Sequence, residues 1–129
     1  MTDIAIPCGY EMVRLTLPTE VDVLESRPVP ALADPTGAVA AALKDPIGCP
    51  PLQQLARDRK SACVVISDNT RPVPNRVILP PLLETLESAG IERDKITILV
   101  ATGTHRANLG EELLALVGDQ IAATYKIVN

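Results

Sequence analysis

Two uninterrupted apolar runs about thirty residues apart, SACVVI (Ser61–Ile66) and ITILVA (Ile96–Ala101), constrain this chain more than any other feature. Neither run alternates with polar residues, and each carries β-branched side chains, the pattern of a strand covered on both faces in a parallel sheet. On that reading Cys63, inside the first run, is a small core residue. Parallel neighbours need a long crossover, and the intervening segment supplies one. Leu82, Leu83, Leu86 and Ala89 recur at helical spacing and stop at Gly90, a natural residue just past a helix end. Pro80-Pro81 either opens this helix or lies within a longer one starting near Pro74. Beyond the second run, Asn108-Leu-Gly-Glu111 reads as an N-cap with an acid three residues on, opening a helix through Val117. Ala123 to Val128 begins a third strand. The order strand, helix, strand, helix, strand implies an α/β fold: a Rossmann-like, right-handed parallel sheet flanked by helices.

The first fifty-one residues have another rhythm, holding eight of the twelve prolines. Met12, Arg14 and Thr16 alternate with Val13, Leu15 and Leu17, as in a half-exposed strand, and Val21 to Leu24 reads as a second, giving a short N-terminal β-hairpin. Asp34-Pro35-Thr36 opens a helix over Val39 to Leu43, with an Asp cap and Pro at its first position, ended by Asp45-Pro46. A further helix is expected from Pro50-Pro51-Leu52 to Arg59. With 129 residues, 47% of them apolar, the chain is expected to form a single α/β domain over residues 1–129.

Composition removes several function classes. A net charge of −4, no Phe or Trp and only two Tyr leave neither a basic face nor stacking platforms for nucleic acid. No apolar run approaches the ~20 residues that cross a bilayer, and MTDIAIPCGYEMVR lacks the basic start and apolar stretch of a signal peptide, so a soluble, cytoplasmic protein is expected. Cys8, Cys49 and Cys63 have no CxxC spacing and one His105 to join them, so no usual metal site forms; they read as reduced thiols.

In a parallel sheet, ligands gather beyond the carboxyl ends of the strands. The first run is followed by Ser67-Asp68-Asn69-Thr70-Arg71-Pro72-Val73-Pro74, the second by Thr102-Gly103-Thr104-His105-Arg106. Asp68 offers a carboxylate, Asn69 and Thr70 short polar groups, and Arg71 a planar fork suited to a carboxylate or phosphate, while the prolines stiffen the segment. The same residues also suit a plain turn with a local Asp68–Arg71 pair. Gly103 allows close backbone approach, and His105 is the one side chain that titrates near neutral pH unaided, which makes it the candidate acid or base. Neither loop matches a dinucleotide or P-loop fingerprint.

SDNTRPVPN (Ser67–Asn75) and ATGTHR (Ala101–Arg106), with DPIGCPPLQQLA before them, PPLLETLESAGI between and EELLALVG and YKIVN after, resemble the N-terminal domain of the nickel-pincer-nucleotide lactate racemase family. The resemblance implies a racemase or epimerase of 2-hydroxy acids, built as the N-terminal domain of a two-domain protein. Its cofactor would be a nickel pyridinium-3,5-bisthiocarboxylic acid mononucleotide, which takes a hydride from the substrate's Cα and returns it to either face. It assigns His105 to proton transfer at the hydroxyl, Asp68, Asn69, Thr70 and Arg71 to the cofactor, and Arg71 also to the substrate carboxylate. The family's cofactor lysine, second catalytic histidine and nickel-ligating histidine match no residue here. The C-terminal domain is therefore expected to be absent from this chain and to be its partner, leaving the chain inactive alone and prone to self-association through exposed apolar surface. A family member acting on another hydroxy acid, and a stand-alone anion- or nucleotide-binding module without catalysis, are the alternatives.

Overall fold

A computed structural model describes residues 1–129. The chain forms two compact units, Met1–Ala31 and Leu32–Asn129. The first is a hairpin of β1 (Thr2–Cys8) and β2 (Glu11–Leu17), paired antiparallel in the register Thr2 with Leu17 through Cys8 with Glu11. Gly9 and Tyr10 form the two-residue loop, and Gly9 sits at φ +64°, a conformation that a tight hairpin turn demands and that glycine adopts at little cost. The strand expected at Val21–Leu24 does not form. The alternating segment pairs instead with the residues before it, through a two-residue turn and a seven-residue register.

In the second unit, α1 (Pro35–Lys44) starts as the sequence indicates. Pro35 is its first residue, and Asp34 Oδ1 accepts from the Gly37 amide at 2.8 Å. Helix α2 (Leu52–Ala56) is shorter than expected, stopping before Arg57-Asp58, where Asp58 takes a positive φ that no helix continues through. Strands β3 (Ala62–Ser67), β4 (Ile96–Ala101) and β5 (Lys126–Val128) form one parallel sheet in the order β3-β4-β5.

Between β3 and β4 runs α3 (Asn75–Ser88), the longer of the two alternatives, with Pro80 and Pro81 inside it. It ends in a glycine cap: Gly90, at φ +100°, donates to the Glu87 carbonyl, and Ile91 donates to that of Leu86, bringing two buried apolar residues together across the helix end. From α3, Leu79, Leu83 and Leu86 pack on the sheet residues Ile66, Ile96, Ile98 and Val100, with Val117 and Ile121 from α4 (Glu111–Val117) and α5 (Asp119–Thr124) completing the core. Helices α1 and α2 pack on α3.

Full burial of β3 does not hold. The sheet steps from β3 to β4 to β5 in one direction, so right-handed crossovers lay both helical connections on one face. The other face is open: Val65 is 61% exposed, and Val128 and Cys63 are exposed too. Cys63 is therefore a surface thiol rather than a core residue; its neighbours Ala62 and Val64 point to the helices, and it points away.

Candidate active site

The two loops expected to carry chemistry meet at the carboxyl edge of the sheet, because β3 and β4 are parallel neighbours with Ser67 beside Ala101. After β3 the chain turns at once, the Arg71 amide donating to the Asp68 carbonyl at 3.2 Å. Asp68 closes this turn from inside. Its Oδ1 accepts from the Thr70 amide at 3.2 Å and the Thr70 hydroxyl at 2.6 Å, the local bonding that Asp favours in turns. After β4, the His105 amide donates to the Thr102 carbonyl at 3.0 Å, with Gly103 between them at φ +59°. No atom lies within 4 Å of where a Cβ on Gly103 would sit, so backbone conformation, not space, selects glycine there.

These turns set His105 Nδ1 2.5 Å from Asp68 Oδ2. Asp68 is 3% exposed and His105 is half exposed. The Thr70 hydroxyl first, and His105 second, hold the Asp68 carboxyl below its usual value, outweighing the opposing effect of burial. An ionised carboxylate only accepts, so Nδ1 carries the proton in this pair. In the neutral ring Nε2 is then the bare nitrogen, and it has no protein partner. The pair is an oriented imidazole whose second nitrogen is unpaired, on a half-exposed side chain.

Asn69 and Thr70 are exposed beside this pair, and Arg71 is exposed with no ion-pair partner. The local Asp68–Arg71 pair therefore does not form; Asp68 is taken by Thr70 and His105. The other arginine of the edge, Arg106, is already engaged, its two terminal nitrogens each 2.6 Å from a carboxylate oxygen of Glu112. That contact raises the Arg106 pKa and lowers that of Glu112. Arg71 is thus the guanidinium left free for an anion.

Three buried polar residues line the edge, Asp68, Asn75 and Asn108, and only Asp68 was legible as a site residue. Asn108 is not the N-cap of α4. Gly110, at φ +55°, takes the cap position, and the Asn108 side chain reaches back to the Asn69 amide at 3.2 Å. Its capping spacing concealed that role. Asn75, first residue of α3, is buried, and its Nδ2 meets no protein acceptor.

The family described as the lactate racemase N-terminal domain matches residues 8–129. This chain belongs to that family. The lactate racemase of Thermoanaerobacterium thermosaccharolyticum is 33% identical over 132 aligned positions, covering 99% of this chain and 31% of the relative. That of Lactiplantibacillus plantarum is 42% identical over 90 residues, 70% of this chain and 21% of the relative. The solved structure of the lactate racemase apoprotein from T. thermosaccharolyticum superposes with a TM-score of 0.78 at 32% identity over 98% of this chain and 30% of its own. The chain therefore spans between about a fifth and a third of the length of the racemases it matches.

Proposed function

We propose that this domain supplies one half of the active site of a lactate racemase, with the rest of the site on a C-terminal domain. The observation that carries the reading is the Asp68–His105 pair at the carboxyl edge, beside the free guanidinium of Arg71. Inverting a 2-hydroxy acid requires that the bond to hydrogen at Cα be broken, and loss of the hydroxyl proton makes that departure easier. His105 Nε2 is the base for that proton, and Asp68 keeps the ring in the tautomer that leaves Nε2 free. Arg71 takes the carboxylate that every 2-hydroxy acid carries, through a planar two-point contact.

The donors of this edge also decide which part of a nickel-pincer nucleotide they fit. The side-chain amide of Asn69 and the guanidinium of Arg71 suit a ribose and phosphate, while Thr70, whose hydroxyl proton goes to Asp68, can only accept from a ribose hydroxyl, and Asp68 stiffens their loop from beneath. No three His, Cys, Asp or Glu side chains converge anywhere in the chain. When bound, the group supplies a hydride acceptor; this domain's share is to hold the nucleotide and substrate and to move the hydroxyl proton. No helix is long and apolar enough to cross a membrane.

The test is made in the full-length protein carrying this domain, loaded with cofactor and given D-lactate, with L-lactate followed by chiral chromatography. His105→Gln is expected to lower turnover by about 10²–10⁴, the range a positioned base contributes, while bound nickel per protein stays at the wild-type level. Undiminished turnover in the loaded variant removes His105 from proton transfer.

A further inference from the structure

The polar interior of the carboxyl edge contains a residue with more connections than its sequence context suggests. Asn108 is 2% exposed. Its Oδ1 accepts from the Asn69 amide at 3.2 Å, across 39 residues of sequence. Its own amide donates to Asn129 Oδ1 at 3.0 Å, and its carbonyl accepts from Asn129 Nδ2. Its Nδ2 reaches Glu112 Oε2 at 3.5 Å, the carboxylate that fixes Arg106. One buried side chain and its peptide group therefore join the loop after β3, the loop after β4 and the residue following β5. No apolar residue of that size can do this, and burial of an amide is tolerated here because its groups are paired.

From this we infer that Asn108 is a positioning residue, the clamp that sets the two ligand loops in register. The bonded amide belongs to Asn69, which sits between Asp68 and Thr70. Holding it fixes the turn in which Asp68 meets His105, and it aims the segment that ends in Arg71. Asn108 touches neither substrate nor cofactor. The consequence for turnover rests on the function proposed above, whereas the clamp itself can be measured without it.

The experiment compares full-length wild type with Asn108→Leu, which removes the acceptor at similar volume, and with Asn129→Ala, which removes the two bonds to the Asn108 peptide and perturbs the core less. Glu87→Gln, in a charged cluster that bonds to neither of the two ligand loops, serves as a control for lost stability. Amide hydrogen exchange at Asn69 is expected to rise at least tenfold in Asn108→Leu and by a smaller factor in Asn129→Ala, with the Ile98 amide in β4 unchanged. KM for D-lactate is expected to rise about tenfold in Asn108→Leu, and Glu87→Gln is expected to move neither readout. Unchanged Asn69 exchange in both Asn variants overturns the clamp, as does raised exchange accompanied by wild-type kcat and KM. Should Asn108→Leu fail to fold, Asn129→Ala decides by the same two readouts. A wild-type protein that loads cofactor yet racemises nothing defeats the proposed function, and the Asn69 exchange then decides the clamp alone.

Discussion

The domain holds two buried-to-half-buried carboxylates, each bonded to a hydroxyl and a nitrogen base, and they are built to opposite ends. Glu87, near the end of α3, accepts from Arg93 Nε at 2.6 Å and Nη2 at 2.8 Å and from the Tyr125 hydroxyl at 2.7 Å, while the Arg93 guanidinium lies 5.8 Å from the Tyr125 ring centroid. Every strong group there is spent on another, and Arg93 is a permanent cation. Arg93 holds the Glu87 carboxyl down at about 2, and burial together with Glu87 pushes the Tyr125 hydroxyl up to about 12. Asp68 is bonded as fully, yet its partner is a histidine with a second, unengaged nitrogen. A closed cluster ties α3 to the segment entering β5; an open-ended one presents a base. Counting ion pairs would not separate them, and asking which group retains an unmet valence does.

The contrast can be broken by exchanging outcomes. The largest expected effect is on turnover: Asp68→Ala in the full-length protein should lower it by roughly 10- to 100-fold, part of what an oriented base provides, whereas Glu87→Ala should leave it within about twofold. Equal turnover losses from the two variants would erase the distinction. Next is Arg71→Ala, which should raise KM for lactate by about tenfold, the lower end of what a charge-assisted hydrogen bond is worth. Removing Arg106, which Glu112 already occupies, should raise it less.

The smallest effect concerns stability and carries a definite pH signature. Because the folded Glu87 carboxyl lies at about 2 against an ordinary 4.5, its contribution is fully present above pH 4.5 and is lost as pH falls through 2. Glu87→Gln should therefore be less stable than wild type by about 1 kcal/mol at pH 7, a modest figure because the pair is partly solvated. The gap in urea midpoints should close between pH 4.5 and 2. A gap constant down to pH 2 would show that the cluster contributes by packing rather than by charge.

How much of this was legible depends on whether the deciding contact was local. The place of strand β4, the Asp34 cap and the stop at Gly90 each follow from residues within one turn or strand and stand as read, though β4 is fully covered on one face only. The meeting of Asp68 with His105 was legible because topology alone puts consecutive parallel strand ends side by side. Two local signals misled. Asn108 matches a capping pattern, yet its partner is 39 residues away and nothing near it in sequence announces that. The apolar run of β3 signals covering on both faces, while Val65 and Cys63 lie open, since a run records what a strand can bury and not what this chain places against it. Asn75 left no signal at all.

Enantiomer interconversion with the two lengths of chain side by side shows whether this domain is half of a racemase site. The 129-residue chain and the full-length protein are each incubated with cofactor, nickel and D-lactate, and L-lactate is measured by chiral chromatography. L-lactate is expected from the full-length protein alone, because His105 serves one side of the reaction and the short chain carries only part of the proposed site. L-lactate formed by the 129-residue chain above the protein-free control would contradict it.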